Sequence, residues 1–259
     1  WIWRKYTLKC KYIFFEKKEG SQNQPIIYIQ KGISGVPSVF INPNELDTKG
    51  LSAVSISGIS KDNKYVCVSI HKAGSDWSEM YVYETATKKR LADKLEWLKN
   101  GGADWSENGF YYSRYQKPAE GKALSEKNEY NTAYFHKLGD AQEQDELVYR
   151  DNEDPLTYNS VGSSEDNQYL FLYKAKGTYG NEIWFKKASE KNSNFKPLFT
   201  GYNNEYGIVD VVNDKFLVFT DDGASNKQLV AVDPNKPEQR NLKKIMSEDK
   251  NALLEGVYT

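Results

Sequence analysis

A short pattern of β-type segments recurs along this chain, and it is the feature that most limits how the chain can fold. In its clearest copy, residues 57–83, the turn Lys61-Asp62-Asn63-Lys64 precedes an alternating run at 65–70, and a polar connection leads to a second run at 80–83. Asp and Asn accept turn conformations, while β-branched and aromatic residues suit a pleated, half-buried surface. This stretch therefore predicts strand, turn, strand, loop and strand.

Five copies of the pattern follow one another. Their first β runs begin at residues 12, 65, 110, 169 and 216, so successive copies are 45 to 59 residues apart. Second runs begin at 26, 80, 133, 183 and 229, and small-residue runs before the turns predict further strands at 53–57, 101–105, 160–163 and 207–211. Outer strands are predicted at 38–41, 146–149 and 197–199, and residues 91–98 are interpreted as strand or irregular structure rather than helix.

Four short strands per repeat of this length are typical of a β-propeller blade. The chain is therefore predicted to be all-β, a β-propeller of four-stranded antiparallel blades, with about five blades and the start of a sixth. The approximate repeat units are 8–52, 53–99, 100–158, 159–205 and 206–252, and 253–259 starts the next blade. A β-sandwich predicts no such period, which counts against that fold.

Composition excludes several kinds of partner. The 35 Lys and Arg balance 36 Asp and Glu, which leaves no electrostatic footprint for nucleic acid or an anionic membrane. No apolar run approaches the roughly 20 residues that span a bilayer. Cys10 and Cys67 are too few for a disulfide framework or a zinc site, and both are expected to be small buried residues. Two cysteines do not decide whether the protein belongs to the cytoplasm or the periplasm.

Known catalytic and nucleotide-binding motifs are absent from the sequence. No nucleophile elbow or nucleotide-binding glycine motif occurs, so no cofactor is expected. His71 and His136 both end β runs and are interpreted as exposed strand-end residues. Paired carboxylates could support glycoside hydrolysis, a chemistry that propellers can host. The candidate acids, at or near inner-strand or top-loop positions, are Asp76, Asp104 and Asp210.

Two polar stretches are interpreted as connections. Asp221-Asp222-Gly223 has too few spaced oxygens for a calcium loop and is predicted to be a turn. The segment 116–128 is predicted to be a long inter-strand loop, the kind of segment that often carries function.

Several strings, taken in order, resemble the propeller domain of the prolyl oligopeptidase family. They are Gln22–Gln24, Asn42–Asn44, Gly74–Trp77, Trp105–Ser106 with Gly109–Tyr115, and Tyr134–Gly139. Each string alone is a weak signal, but five in order over nearly the whole chain are a specific one.

This resemblance implies a serine peptidase that cleaves short peptides after proline. In the family, a hydrolase domain built from both chain ends accompanies a seven-bladed propeller. The chain is then expected to lack the N-terminal helical segment, the last blades and the hydrolase domain. The catalytic triad would lie outside it, and the isolated chain would be inactive. The implied role of the propeller is to cover the active site and to admit only short, unstructured peptides.

One residue of this chain is carried over as a peptide-path candidate. Asp76, in the matched Gly-Ser-Asp-Trp string, would lie on a loop that faces the hydrolase domain, where it would meet an arginine or a peptide amino terminus. The alternative is a turn Asp that bonds local backbone. The family's aromatic contact to the peptide aligns with Asn100 here, so that contact is not assigned.

Two other functions remain open at this point, a stand-alone propeller module that binds a protein or peptide, and a propeller glycosidase. An incomplete ring would also leave apolar blade faces without a neighbour, which predicts self-association.

Overall fold

The computed structural model describes residues 4–257 except 10, 19, 21, 47–49, 73–74, 100 and 237–241. Cys10, Gly74 and Asn100 therefore lie outside the described residues. The chain divides into two compact units. The first contains the described residues up to Glu126 together with Tyr134–Glu146, and the second contains Lys127–Ala133 and the described residues from Leu147 onward.

Within the described residues the strands form five four-stranded antiparallel sheets, and in each sheet they lie side by side in chain order. The first two sheets and one short helix consist of β1 (Arg4–Lys9), β2 (Tyr12–Lys17), β3 (Ile26–Lys31), β4 (Ser38–Ile41), α1 (Pro43–Leu46), β5 (Ala53–Ile59), β6 (Tyr65–His71), β7 (Ser78–Glu84) and β8 (Arg90–Leu98).

The other three sheets and a 3-10 turn at Gln142–Gln144 complete the described chain. Their strands are β9 (Asp104–Ser106), β10 (Gly109–Arg114), β11 (Thr132–Lys137), β12 (Glu146–Arg150), β13 (Tyr158–Ser163), β14 (Tyr169–Ala175), β15 (Asn181–Lys187), β16 (Lys196–Phe199), β17 (Tyr206–Val212), β18 (Lys215–Thr220), β19 (Gln228–Val232) and β20 (Lys243–Met246).

The predicted fold class is confirmed, because each sheet has the four antiparallel strands of a propeller blade. The segment at 91–98 is a strand, β8. Four elements had no counterpart in the prediction: β1, β20, the 3-10 turn and α1. The helix α1 does carry two helix-start signals in the sequence. They are a proline at its first position and the side chain of Asn42, whose Oδ1 accepts the Asn44 N–H at 3.1 Å.

The recurring turn has the same geometry in the second and fourth sheets. The Ser60 hydroxyl donates to Asp62 at 2.7 Å and accepts the Tyr65 N–H at 2.9 Å. Ser164 makes the equivalent bonds to Asp166 at 2.6 Å and from Tyr169 at 3.0 Å. The asparagine that follows each aspartate has a positive φ, 62° in Asn63 and 57° in Asn167. The repeated Ser-x-Asp-Asn letters thus encode one turn.

The cores are sandwiched between consecutive sheets. In the first unit, Phe14 and Ile27 pack with Val66 and Val68 between the first two sheets. The opposite face of the second sheet, with Met80 fully buried, packs against residues 103–112. In the second unit the side chains of the fourth and fifth sheets surround Phe216. Because both faces of the second sheet are buried, its strands are less strictly alternating than those of a one-sided sheet.

Close approach of two backbones explains one glycine. A Cβ on Gly58 would lie 2.1 Å from the carbonyl oxygen of Ala103. The neighbouring Ser57 oxygen accepts the Ala103 N–H at 2.8 Å, so β5 bonds directly to the segment that leads into β9. The register of β5 with β6 shifts between Ile56 and Gly58. Any side chain at Gly58 would push these segments apart.

Two of the strings that carried the resemblance meet in the first unit. Asn44 accepts the Gln24 N–H at 3.2 Å and donates its own amide to the Gln24 carbonyl at 3.0 Å. This reciprocal pair ties the segment before β3 to the start of α1. The pairing gives the strings Gln22–Gln24 and Asn42–Asn44 a structural reason to occur together.

The repeat boundaries and the sixth blade stay predictions. β1 begins at Arg4 and β13 at Tyr158, slightly before the predicted unit starts at 8 and 159. Residues 253–257 form no strand in the structure, although the Leu254 N–H donates to the Asn226 carbonyl at 2.9 Å. Tyr258 and Thr259 lie outside the described residues.

Replacing Phe216 tests the packing of the second unit. Phe216 is fully buried, and its ring centroid lies 4.9 Å from those of Tyr169 and Phe171. We expect Phe216→Ala to lower the free energy of unfolding by about 3–5 kcal/mol, because truncation removes apolar contacts and leaves a cavity. Urea unfolding measures the loss.

Val212→Ala is the matched control, because Val212 is 42% exposed at the end of β17. Its cost should stay within about 0.5 kcal/mol. Equal costs for the two substitutions would contradict the described core.

Candidate functional site

The loop that carries Asp76 connects β6 to β7 at one end of the second sheet. Within its described part, Asp76 is exposed and Trp77 is half-buried. The Ser75 hydroxyl accepts the Trp77 N–H at 3.1 Å, which forms a local serine turn beneath Asp76. Asp76 thus lies in a bent segment with its side chain in solvent.

Trp77 is the centre of an aromatic group, here called the Trp77 cluster, with Trp97, Lys99 and Tyr115. Its ring lies 5.5 Å from Trp97 and 6.0 Å from Tyr115, both edge to face. The Lys99 ammonium lies 4.2 Å from the Trp77 ring centroid. Edge-to-face pairs and a cation over an indole are both favourable arrangements. The cluster therefore fixes the orientation of Trp77.

The indole of Trp77 also holds a distant segment. Its Nε1–H donates to the carbonyl of Ala123 at 2.7 Å. Ala123 belongs to residues 116–126, here called the strap, which follow β10 and lie within the predicted long loop. The strap begins next to the cluster, since the Tyr115 N–H donates to the Trp97 carbonyl at 3.0 Å. One side chain thus connects the Asp76 loop to the strap.

The strap has little structure of its own. Its internal bonds are turn-like, for example Glu126 N–H to the Lys122 carbonyl at 2.9 Å, and Glu126 Oε2 accepts the Ala119 N–H at 3.0 Å. Leu124, beside the tethered Ala123, is 89% exposed. A segment with so few buried apolar contacts opens at low free-energy cost.

A small cavity of about 190 Å³ lies beside Trp77. Its lining residues are Ile70, Lys72, Ser75, Trp77, Ser78, Glu79, Glu96 and Trp97. Glu79 forms ion pairs with Lys72 at 2.8 Å and Lys94 at 3.4 Å. Burial raises the pKa of Glu79, but the hydrogen bonds from Lys72 and Tyr81 outweigh it and the pKa is lowered overall. The carboxylate is therefore charged and already neutralised by its neighbours.

The prediction for His136 is wrong. This side chain, expected at an exposed strand end, is fully buried. Its Nδ1 lies 2.7 Å from Asp145 and its Nε2 lies 3.1 Å from Asp93. Asp93 also accepts the Gly139 N–H at 2.6 Å, and the Tyr112 hydroxyl donates to Asp145 at 2.6 Å. Burial is tolerated because every charged group in this network is paired.

The network fixes the charge of the histidine. Burial alone lowers the pKa of His136, but its hydrogen bonds to Asp145 and Asp93 raise it to about 9. Burial likewise raises the pKa of Asp93, and the bonds from His136 and Gly139 lower it overall. With both ring nitrogens bound and no exposed surface, His136 has no means of accepting a proton from a bound substrate. Its role is structural.

The remaining sequence candidates are not members of the Trp77 cluster. Asp104 is exposed on β9, and Asp210 on β17 accepts the Val211 N–H at 2.7 Å. Residues 222–223 form a turn, as predicted. Asp221 and Asp222 accept hydrogen bonds from the hydroxyls of Tyr179 and Tyr206, at 2.6 and 2.9 Å, from more distant segments. His71 is half-buried at the end of β6, and Cys67 is fully buried as expected.

The described residues contain no metal-ligand cluster and no membrane-spanning helix. No three His, Cys, Asp or Glu side chains in this part of the chain come together as metal ligands would. Among the same residues, no helix has the length and apolar character needed to cross a membrane.

The sequence pointed to Asp76 but missed the Trp77 cluster and the strap tether. The usable signal was the position of Trp77 and Trp97, large aromatic side chains immediately before β7 and near the end of β8. The tether itself joins residues 46 positions apart, and no local pattern reveals such a contact.

Comparison with known proteins gives a consistent result. The family described as "Prolyl oligopeptidase, N-terminal beta-propeller domain" matches residues 5–259. The chain is 35% identical over 246 residues to a prolyl endopeptidase from Elizabethkingia meningoseptica, covering 95% of this chain and 35% of that protein.

Solved structures agree with the sequence comparison. A prolyl endopeptidase structure superimposes with a TM-score of 0.81 at 27% identity, over 94% of this chain and 36% of that one. Prolyl oligopeptidase B from Galerina marginata, bound to a 35mer hydrolysis and macrocyclization substrate, gives a TM-score of 0.83 at 25% identity. That likeness covers 95% of this chain and 38% of the other. The chain spans just over a third of the length of these relatives.

The buried network predicts a pH dependence of stability. The folded pKa of His136, about 9, exceeds its ordinary value of 6.5, so its contribution is complete below pH 6.5 and is lost as pH rises through 9. The difference between these values corresponds to about 3 kcal/mol. Urea unfolding between pH 6 and pH 10 should show this loss.

His136→Gln should flatten that pH profile, because the variant has no titrating ring between the two aspartates. His71→Gln, the other histidine of the chain, is the control and should keep the wild-type profile. A wild-type stability that does not fall between pH 6.5 and pH 9 would count against a charged His136.

Proposed function

We propose a function from one premise: the chain belongs to the family of the prolyl oligopeptidase N-terminal β-propeller domain. In the whole protein, a serine peptidase that cleaves short peptides after proline, this propeller controls which peptides reach the hydrolase domain. The catalytic residues lie outside this chain. The propeller acts by steric selection and admits short, unstructured peptides while it excludes folded proteins.

The observation that carries this proposal is the Trp77 tether. The Asp76 loop and the strap are held together by one indole hydrogen bond and by the packing of Trp77 in its cluster. The second sheet, which carries the Asp76 loop, is secured by buried cores on both faces, and the third sheet shares one of those cores. The tether therefore opens without unfolding a blade, which is the physical requirement for a gate.

The exposed groups at this gate suit a peptide. Asp76 offers a carboxylate in solvent, and Leu124 an exposed apolar side chain on the strap. A carboxylate attracts a peptide amino terminus or an arginine from a neighbouring domain. The alternative for Asp76 is a turn aspartate that bonds local backbone, although the turn bond seen in this segment comes from Ser75. Asp76→Asn distinguishes a charge contact from a local turn bond, because it removes the charge and keeps the shape of the side chain.

The alternative function is a stand-alone propeller that binds a protein or peptide. It is distinguished by the coding sequence beyond Thr259, which in this alternative ends without a hydrolase domain. Self-association of the isolated chain through blade faces belongs to either function and is tested by light scattering.

Activity assays test the assignment of catalysis to another domain. We expect the isolated chain to show no hydrolysis of a Gly-Pro chromogenic peptide, since its sequence has no nucleophile elbow and His136 is fully buried. A polypeptide that joins this propeller to its hydrolase domain should hydrolyse the same peptide. Turnover by the purified isolated chain would refute the proposal.

Replacing Trp77 tests the gate in that two-domain protein. Trp77→Phe keeps an aromatic ring and removes the donor to Ala123, a bond with a net value of about 1 kcal/mol, so the open strap should become about fivefold more populated. We expect kcat/KM for a peptide of about 30 residues to rise relative to that for a four-residue peptide, because larger substrates depend more on opening.

Tyr28→Phe is the control for this variant. It removes the hydroxyl group from a half-buried ring that stacks on Phe15 in the first sheet. The ratio of long-peptide to short-peptide kcat/KM should match the wild type in this control. An unchanged ratio in Trp77→Phe as well would rule out the tether as a gate.

A further inference from the structure

A cavity of about 390 Å³ lies in the second unit, bounded by β12, β15 and the loop from β15 to β16. Its volume falls in the range in which proteins bind small molecules. None of its lining residues belongs to the Trp77 cluster or to the strap. It is therefore a separate feature from the proposed peptide gate.

Three aromatic side chains line this cavity: Tyr149, Trp184 and Phe195. The rings of Tyr149 and Phe195 meet edge to face at 6.2 Å. The Trp184 indole N–H donates to Glu182 at 2.9 Å, which fixes the plane of the ring. Ordered aromatic walls offer a planar ligand a large contact area at low entropic cost.

A buried lysine holds the loop from β15 to β16 that bounds the cavity. Lys186, only 9% exposed, donates to the carbonyls of Lys191 and Ser193 at 3.1 and 3.3 Å. Its ammonium also lies 5.0 Å from the Phe195 ring centroid. The loop is thus held in one shape by contacts from β15, so the cavity exists before any ligand binds.

The lining of the cavity is positively charged. Lys186 and Lys191 contribute its charges, and none of the described lining residues is Asp or Glu. The nearby Glu182 accepts from Trp184 and from the Gly201 N–H at 2.8 Å. Asp151 is paired with Lys174 at 2.9 Å. The side-chain amides of Asn192 and Asn194 add exposed hydrogen-bond donors.

We propose that this cavity binds a small organic anion with a planar ring and a carboxylate or phosphate group. The ring contacts Trp184 and Tyr149, and the anionic group lies at Lys191 and the asparagine amides. An ammonium attracts an anion, while a neutral isostere of the same shape gains only the contact with the rings.

Two matched pairs of probes test the charge requirement by isothermal titration calorimetry on the full chain. They are N-acetyl-L-phenylalanine against its amide, and adenosine monophosphate against adenosine. We expect saturable binding of at least one anion, about tenfold tighter than its neutral partner. Absence of saturable binding for both anions, or equal affinity within both pairs, would overturn the proposal.

Three variants locate the site. Lys191→Gln should weaken anion binding about threefold or more, and Trp184→Leu should abolish it. Lys187→Gln is the control, because Lys187 is exposed on the same strand as Lys186 and does not line the cavity. If Trp184→Leu fails to fold, Lys191→Gln alone decides. Anion binding unaffected by Lys191→Gln, or equally weakened by Lys187→Gln, would overturn the proposed site.

Discussion

The structure depends on the need of each four-stranded sheet to bury both of its faces. A lone sheet of this size leaves apolar side chains in water, so each blade is stable only against a neighbour. The aromatic and β-branched residues meet this need where consecutive sheets pack together: Phe14 and Val66 share one core, Met80 and Phe110 another, and Phe171 and Phe216 a third. The polar His136 network packs against Phe110 and adds a directional link between β8 and β11.

Local pattern was sufficient to predict most of the fold. Strand positions follow from alternation over four to seven residues, and the turns follow from the serine, aspartate and asparagine side chains that form them. His136 could not be placed in this way. Its burial depends on Asp93, which lies 43 positions earlier in the chain, and an isolated histidine at a strand end gives no sign of such a partner. The helix α1 was missed because four residues form too short a pattern, although proline and asparagine marked its start.

The strings that carry the family resemblance have two kinds of location. Gln24 and Asn44 bond to each other, and His136 and Gly139 share Asp93, so these strings maintain the shape of the blades. The Asp76 loop differs, because it exposes a carboxylate and holds the strap through Trp77. The scaffold was thus largely predictable, whereas the contact that organises the candidate site joins distant segments and became visible only in the folded chain.

Hydrogen exchange in the strap is the most direct test of the idea that Trp77 holds the gate. The amide protons of residues 119–126, measured by mass spectrometry, should exchange faster than those of β10 and β7 in the native chain. In Trp77→Phe they should exchange about fivefold faster still, while β7 and β10 keep their protection, because one hydrogen bond of about 1 kcal/mol has been removed. Strap exchange that is unchanged by Trp77→Phe, or accelerated equally in β7 and β10, would contradict the account.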